Sequence, residues 1–138
     1  MENPVKITLQ KYCIEELTIK APIPKAQQVQ PQLDTKLVNR VQVSKENSNN
    51  EFMVSIYSEI SFTDLPAYVI NCKITGSFKF EGQYSEEEKI NLAYSVAPSA
   101  LFGMLREIVT SLSMKTPYFP IILPVFEFPK YPIDEDAK

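Results

Sequence analysis

The chain is 138 residues long, 44% of them hydrophobic, with a net charge of -3 and a sequence pI near 5.0. That is enough apolar material for one core, so residues 1–138 read as a single domain, with an acidic tail over 129–138 expected to be flexible. The acidic balance argues against nucleic acid or an anionic membrane as a main partner, because both need a basic field.

Several chemistries lack their residues. There is no histidine, so the usual neutral-pH base and the commonest nitrogen metal ligand are missing. Cys13 and Cys72 have no CxxC spacing and fall in strand-like segments, where both read as buried thiols in a reducing compartment. No Gly-rich phosphate loop or serine elbow occurs, and nothing gathers two carboxylates into a cleft. The chain reads as a non-enzyme with no metal or cofactor. No long apolar run and no basic stretch before an apolar one marks a membrane span or signal segment, so a cytoplasmic protein is expected.

From Ile7 to Ile19 the apolar positions change phase twice: Ile7 and Leu9, then Tyr12 and Ile14, then Leu17 and Ile19. Strand side chains alternate strictly, so each change needs an extra residue, and bulges are expected near Gln10–Lys11 and Glu15–Glu16. The segment reads as one long, bent strand whose bulges curve a sheet edge. Ala21–Pro31 holds three prolines and no period, which makes it an extended crossover rather than a hairpin. Its apolar residues can wall a groove or pin the loop to the core, and the sequence leaves both open.

Leu33, Leu37, Val41 and Val43 alternate with Asp34, Lys36, Arg40 and Gln42 as in a half-buried strand. The Asn-rich stretch Ser44–Glu51 returns the chain antiparallel. Phe52, Val54, Ile56, Ile60 and Phe62 mark a third strand, and beyond a turn at Thr63–Pro66 a fourth keeps Tyr68, Ile70, Cys72, Ile74, Phe78 and Phe80 in one phase. The spacing predicts a four-stranded antiparallel sheet with one apolar face. Its polar face mixes Lys36, Arg40, Glu59, Lys73 and Lys79.

Ser85-Glu86-Glu87-Glu88 is a capping box, and its glutamates read as a solvated first turn rather than a metal site. Ile90, Ala93 and Ala97 carry this helix to Pro98, where a kink or restart is expected. Leu101, Leu105, Ile108 and Leu112, widened by Phe102 and Val109, then form a core face. Opposite them Ala100, Gly103, Met104, Glu107, Ser111 and Met114 offer small or flexible groups and little charge, as suits a face packed on a partner subunit. A weakly polar outer face in a monomer is the alternative. The tail that follows is dense in apolar residues and prolines, and reads either as an exposed interaction surface or as chain folded back on the sheet. Pro129 and Pro132, with no apolar period, forbid a second helix over 129–138.

Pro98, Leu101-Phe102, Arg106-Glu107, Phe119-Pro120 and Pro124-Val125 with Phe128 resemble the helix and post-helix signature of the SecB family of protein-export chaperones. Leu17-Thr18-Ile19-Lys20-Ala21-Pro22 is similar to the end of that family's first strand, which enters its crossover at an Ala-Pro pair. The resemblance covers most of the chain up to Phe128, in the same order. It implies an α+β, SecB-like fold: a four-stranded antiparallel sheet with one long, kinked helix packed on one face. It also implies a groove for unfolded polypeptide, with Ile23, Val29, Leu33, Phe119, Ile121, Ile122, Val125, Phe126, Phe128 and Tyr131 as its expected lining. Ala100, Gly103, Met104, Glu107, Ser111 and Met114 become the expected interface of a homodimer or homotetramer.

The chain departs from the family past Lys115. The Phe-Pro to Pro-Val spacing is short, Phe126 is an extra residue, and the second amphipathic helix that flanks the family's groove has no counterpart. Nor do the middle strands concentrate acid as the family's patch for the translocation motor SecA does. The implied function is an ATP-independent holdase that binds unfolded or precursor polypeptides for export and translocation, without a cofactor. A dedicated chaperone of one partner, such as a toxin–antitoxin module, is the alternative, followed by a non-chaperone oligomeric interaction protein. Expected partners are such polypeptides, SecA or a dedicated toxin or antitoxin, and further copies of the chain, but neither nucleic acid nor a membrane.

Overall fold

The structure, a computed structural model, describes residues 6–23, 34–118, 120–124 and 128. Strands β1 (Ile7–Lys20), β2 (Thr35–Val43), β3 (Glu51–Phe62) and β4 (Val69–Phe80) form one antiparallel sheet in the order β1-β4-β3-β2. Helix α1 (Glu86–Asn91), a π turn (Leu92–Val96) and helix α2 (Ala97–Ser113) follow without a break. This is the expected fold class, one sheet with one long joined helix.

Both phase changes in β1 are met by register shifts, between Leu9 and Lys11 and between Ile14 and Glu16. The extra residues keep Ile7, Leu9, Tyr12, Ile14, Leu17 and Ile19 opposite Phe80, Phe78, Gly76, Ile74, Cys72 and Ile70, so all six point to the helix side. β1 lies at the sheet edge, as the reading of its bulges required.

The capping box is present in full: Ser85 Oγ accepts from the Glu88 N–H, and the Glu88 carboxylate accepts from the Ser85 N–H. The helix runs on through Pro98 rather than restarting there, with a π turn just before it. Pro98 has no N–H for the carbonyl one turn back, and the preceding turn widens so that the Ala97 N–H reaches Leu92 O. Leu101, Phe102, Leu105 and Val109 of α2 are buried against β3 and β4, while Ile108 and Leu112 sit half-buried at the margin. At Gly76 a Cβ would come within 2.9 Å of Leu101 Cδ2, so this crossing of helix over strand requires glycine.

Candidate polypeptide-binding site

The segment after α2 folds back along the helix it has just left, and polar side chains on one flank of that helix hold its backbone. Thr110 Oγ1 donates to Ile121 O at 2.8 Å, and Ser113 Oγ accepts from the Ile121 N–H at 2.7 Å. Arg106 Nε donates to Leu123 O at 3.1 Å. Further along, the Phe128 N–H donates to Ser99 Oγ at 3.2 Å and Ser95 Oγ donates to Phe128 O at 2.7 Å. Helix residues at three- and four-residue spacing share a flank, so Ser113, Thr110, Arg106, Ser99 and Ser95 make one track. These five bonds all go to tail backbone, at Ile121, Leu123 and Phe128, so they hold it there whatever the side chains at those positions are.

That path sorts the expected groove residues. Ile121 is 5% exposed, Ile122 78% and Leu123 1%, the in-out alternation of extended chain lying on a surface. Phe128 is buried edge-on against Phe102, with ring centroids 6.1 Å apart. Ile121 and Phe128 are therefore core residues here, since the hydrogen-bonded backbone turns them inward. Ile122 points out, and so does Ile23, 89% exposed at the start of the crossover. Tyr118, buried and close to Tyr68, donates its hydroxyl to Pro22 O at 2.8 Å, which ties the first turn of the crossover to the start of the tail. Val29, Leu33, Phe119, Val125, Phe126 and Tyr131 lie outside the described residues.

Tyr118 and the track were not singled out from the sequence. The signal for the track was there, in serine, threonine and arginine at helical spacing beside an apolar face. Tyr118 acts only through a tertiary contact and gave none.

The expected interface residues share the outer side of α2: Ala100, Gly103, Glu107, Ser111 and Met114 are exposed and Met104 is half-buried against the core. Among the described residues nothing lies within 4 Å of where a Gly103 Cβ would be. A cleft of about 320 Å³ runs beside it, between the helix and Ile122. A second uncovered surface is the helix side of β1, where Tyr12, Ile14 and Leu17 are 50%, 42% and 39% exposed because α2 lies over β3 and β4 instead.

Cys72 is buried in the core, which pushes its thiol pKa up. Cys13 was expected to be buried and is exposed, since it lies on the edge strand opposite Thr75, away from the helix. On the same polar face Thr75 donates to Glu15 Oε1 at 2.6 Å and Lys73 Nζ stands 3.2 Å from Glu15 Oε2, and the two together hold the Glu15 carboxyl below its ordinary range. At the far end Lys89 Nζ meets Glu46 Oε1 at 2.7 Å, fastening α1 to the turn after β2. Among the described residues no group of three or more His, Cys, Asp or Glu could hold a metal, and no helix is long and apolar enough to cross a membrane.

The chain resembles known proteins over nearly its whole length. The family model described as "Preprotein translocase subunit SecB" matches residues 2–131. The "Protein-export protein SecB" of Nitrosococcus oceani is 27% identical over 128 residues, which is 89% of this chain and 77% of that protein. A SecB-like chaperone of Mycobacterium tuberculosis, solved in complex with a ChAD peptide from the HigA1 antitoxin, has the same fold, with a TM-score of 0.67, 17% identity and 88% of each chain covered. With its edge-bulged sheet, its long joined helix and the tail segment bound along that helix, the chain belongs to the SecB family.

Proposed function

We propose that this SecB-family chaperone is an ATP-independent, cytoplasmic holdase that binds non-native polypeptides for export, and that Ile23 and Ile122 belong to its client surface. The observation that carries this is the pair of exposed isoleucines on backbone that is itself tied down, Ile122 by the helix track and Ile23 next to the Pro22–Tyr118 bond. Large apolar side chains held in water on a fixed backbone lose little entropy on contact with a client, and the contact needs no catalytic step. Val29, Leu33, Phe119, Val125, Phe126 and Tyr131 extend this surface in our proposal.

We also propose that the working unit is an oligomer. The first half of β1 carries Lys11 and the second half Glu15 and Glu16, so antiparallel pairing of two β1 edges sets opposite charges against each other while covering Tyr12, Ile14 and Leu17. A mid-helix glycine costs roughly 1 kcal/mol relative to alanine, and among the described residues Gly103 has no neighbour to require it. Close approach of a second helix would supply the reason, which extends the dimer to a tetramer through α2. Several client surfaces in one assembly would then raise avidity for one unfolded chain.

The test is light scattering of a denatured model protein diluted into increasing amounts of this one. We expect scattering to fall with near-stoichiometric oligomer for several unrelated clients. Failure to suppress any of them would remove the general holdase reading. A second reading, a chaperone dedicated to one toxin–antitoxin partner, is favoured by the antitoxin peptide bound to the mycobacterial neighbour. Suppression confined to one cognate protein would select it. As a receiver, SecA would meet a sheet face on which Lys36, Arg40, Lys73 and Lys79 are interspersed with Glu15, Glu16 and Glu59, so we assign it no acidic dock there.

A further inference from the structure

β1 reads nearly the same from either end. Outward from Cys13 in the two directions, Tyr12 answers to Ile14, the polar pair Lys11-Gln10 to Glu15-Glu16, Leu9 to Leu17, Thr8 to Thr18 and Ile7 to Ile19. The structure gives this symmetry a meaning. Each polar pair holds one of the two residues that β4 leaves without a register partner, Gln10 and Glu15, so the bulges belong to the repeated pattern. β1 also ends the sheet, and its outer edge pairs with no strand among the described residues.

In a two-fold antiparallel pair of identical strands, residues equally far from the axis on either side stand opposite each other, and opposite side chains share a face. With the axis at Cys13, helix-side residues meet only helix-side residues: Tyr12 faces Ile14 of the second copy, Leu9 faces Leu17 and Ile7 faces Ile19. On the polar face Lys11 faces Glu15 and Gln10 faces Glu16, each pair occurring twice. Glu15 is already held for this by Thr75 and Lys73, and Gln10 by Ser77, which donates to its Oε1 at 3.1 Å. Moving the axis by one residue, to Tyr12 or to Ile14, sets Leu9 against Glu15 or Lys11 against Leu17, an apolar residue of one face against a charged residue of the other.

We propose that a second copy of this chain docks edge to edge on β1 with the two-fold axis through Cys13, so that the two Cys13 side chains lie side by side on the polar face. This register presupposes the pairing of β1 edges inferred above. It covers Tyr12, Ile14 and Leu17, the helix-side residues that α2 leaves exposed, with their own symmetry mates.

Linking of the two thiols reads the register. Directly opposite residues on antiparallel strands hold their Cβ atoms about 4.5–5.5 Å apart, a small adjustment from the roughly 3.5–4.5 Å of a disulfide. Dipyridyl disulfide is the oxidant: one Cys13 thiolate displaces a pyridinethiol from it, and the Cys13 thiolate of the second copy displaces the other from the mixed disulfide. In dilute solution of the full chain we expect a linked dimer whose bridge maps to Cys13 on both sides, since Cys72 is buried. It should form on the order of tenfold or more faster than with Lys11→Cys/Cys13→Ser, whose thiols would stand about 13 Å apart in this register at roughly 3.3 Å per residue. Equal rates at the two positions would overturn the register, because collision or another alignment would then be responsible. A sedimenting dimer that does not link at Cys13 would overturn the register and leave the dimer standing. The mass of a single chain at every concentration would remove the dimer itself, and the register with it.

Discussion

β1 and β4 lie side by side, and their helix-side residues face each other in register, yet they end in opposite environments. Ile74 is fully buried and Ile14, directly across from it, is 42% exposed; Cys72 is fully buried and Leu17 opposite is 39% exposed. Both strands carry the same apolar message on the same face. The difference lies in what is stacked above them: α2 covers β3 and β4 and stops short of β1. A half-apolar strand thus specifies which face turns inward, whereas burial is decided by where the next layer lies. An edge strand kept this apolar is also unusual without a cover, and that is the ground for proposing a second copy there.

Truncation should separate the two strands most strongly. Ile74→Ala opens a cavity under α2 and is expected to cost about 2–5 kcal/mol of unfolding free energy, whereas Ile14→Ala in dilute protein should cost less than about 1 kcal/mol. Urea denaturation at low and high protein concentration measures both. Equal costs at low concentration would show that β1 is covered within its own chain. Ile14→Asp sharpens the contrast: far-UV circular dichroism should be unchanged while the sedimenting mass falls.

Gly76→Ala tests the crossing of helix over strand. The new methyl group would meet Leu101, Phe78 and Leu9 at 2.9, 3.0 and 3.1 Å, and overpacking of this kind costs about 1–3 kcal/mol. The matching change on the outer side of the same helix should have the opposite sign. Gly103→Ala meets open space, so the dilute chain should gain about 1 kcal/mol from helix propensity while association through α2 weakens. A gain in stability with no loss of mass would separate Gly103 from the interface.

The smallest expected effect is electrostatic. The Glu15 carboxyl lies below its ordinary value of 4.5 chiefly through the Thr75 hydroxyl and then Lys73, and Glu51 is lowered chiefly by Asn47. A depressed carboxyl contributes stability above its unfolded pKa and loses it as pH falls through the folded one. Stability should therefore decline modestly below about pH 4.5, and Glu15→Gln should flatten part of that decline. An unchanged acid profile in that variant would show the Thr75 and Lys73 contacts to be without weight in solution.

Much of the architecture was legible because it is local. The two bulges of β1 follow from phase changes that no regular strand can absorb, and the capping box at Ser85 and the irregular turn before Pro98 are written in adjacent residues. What the sequence did not disclose depends on the third dimension. Cys13 was expected inside, yet it sits between Tyr12 and Ile14 on the edge strand and so turns to the polar side, opposite Thr75. Ile121, Ile122 and Leu123 look alike in sequence, and the track from Ser113 to Ser95 decides which of them turns outward. Gly103 was legible as part of an unusual outer face, while Tyr118 became visible only once the crossover lay beside it.

Holding unfolded polypeptide on fixed, exposed isoleucines is the function proposed for this chain. Its most direct test is the fluorescence anisotropy of a labelled, permanently unfolded polypeptide titrated with the unsubstituted protein and with Ile23→Asp/Ile122→Asp. The account predicts saturable binding by the former and at least about tenfold weaker binding by the variant, because two desolvated apolar anchors become hydrated charges. Equal affinity in the two proteins at equal oligomer mass, or no binding by either, would contradict it.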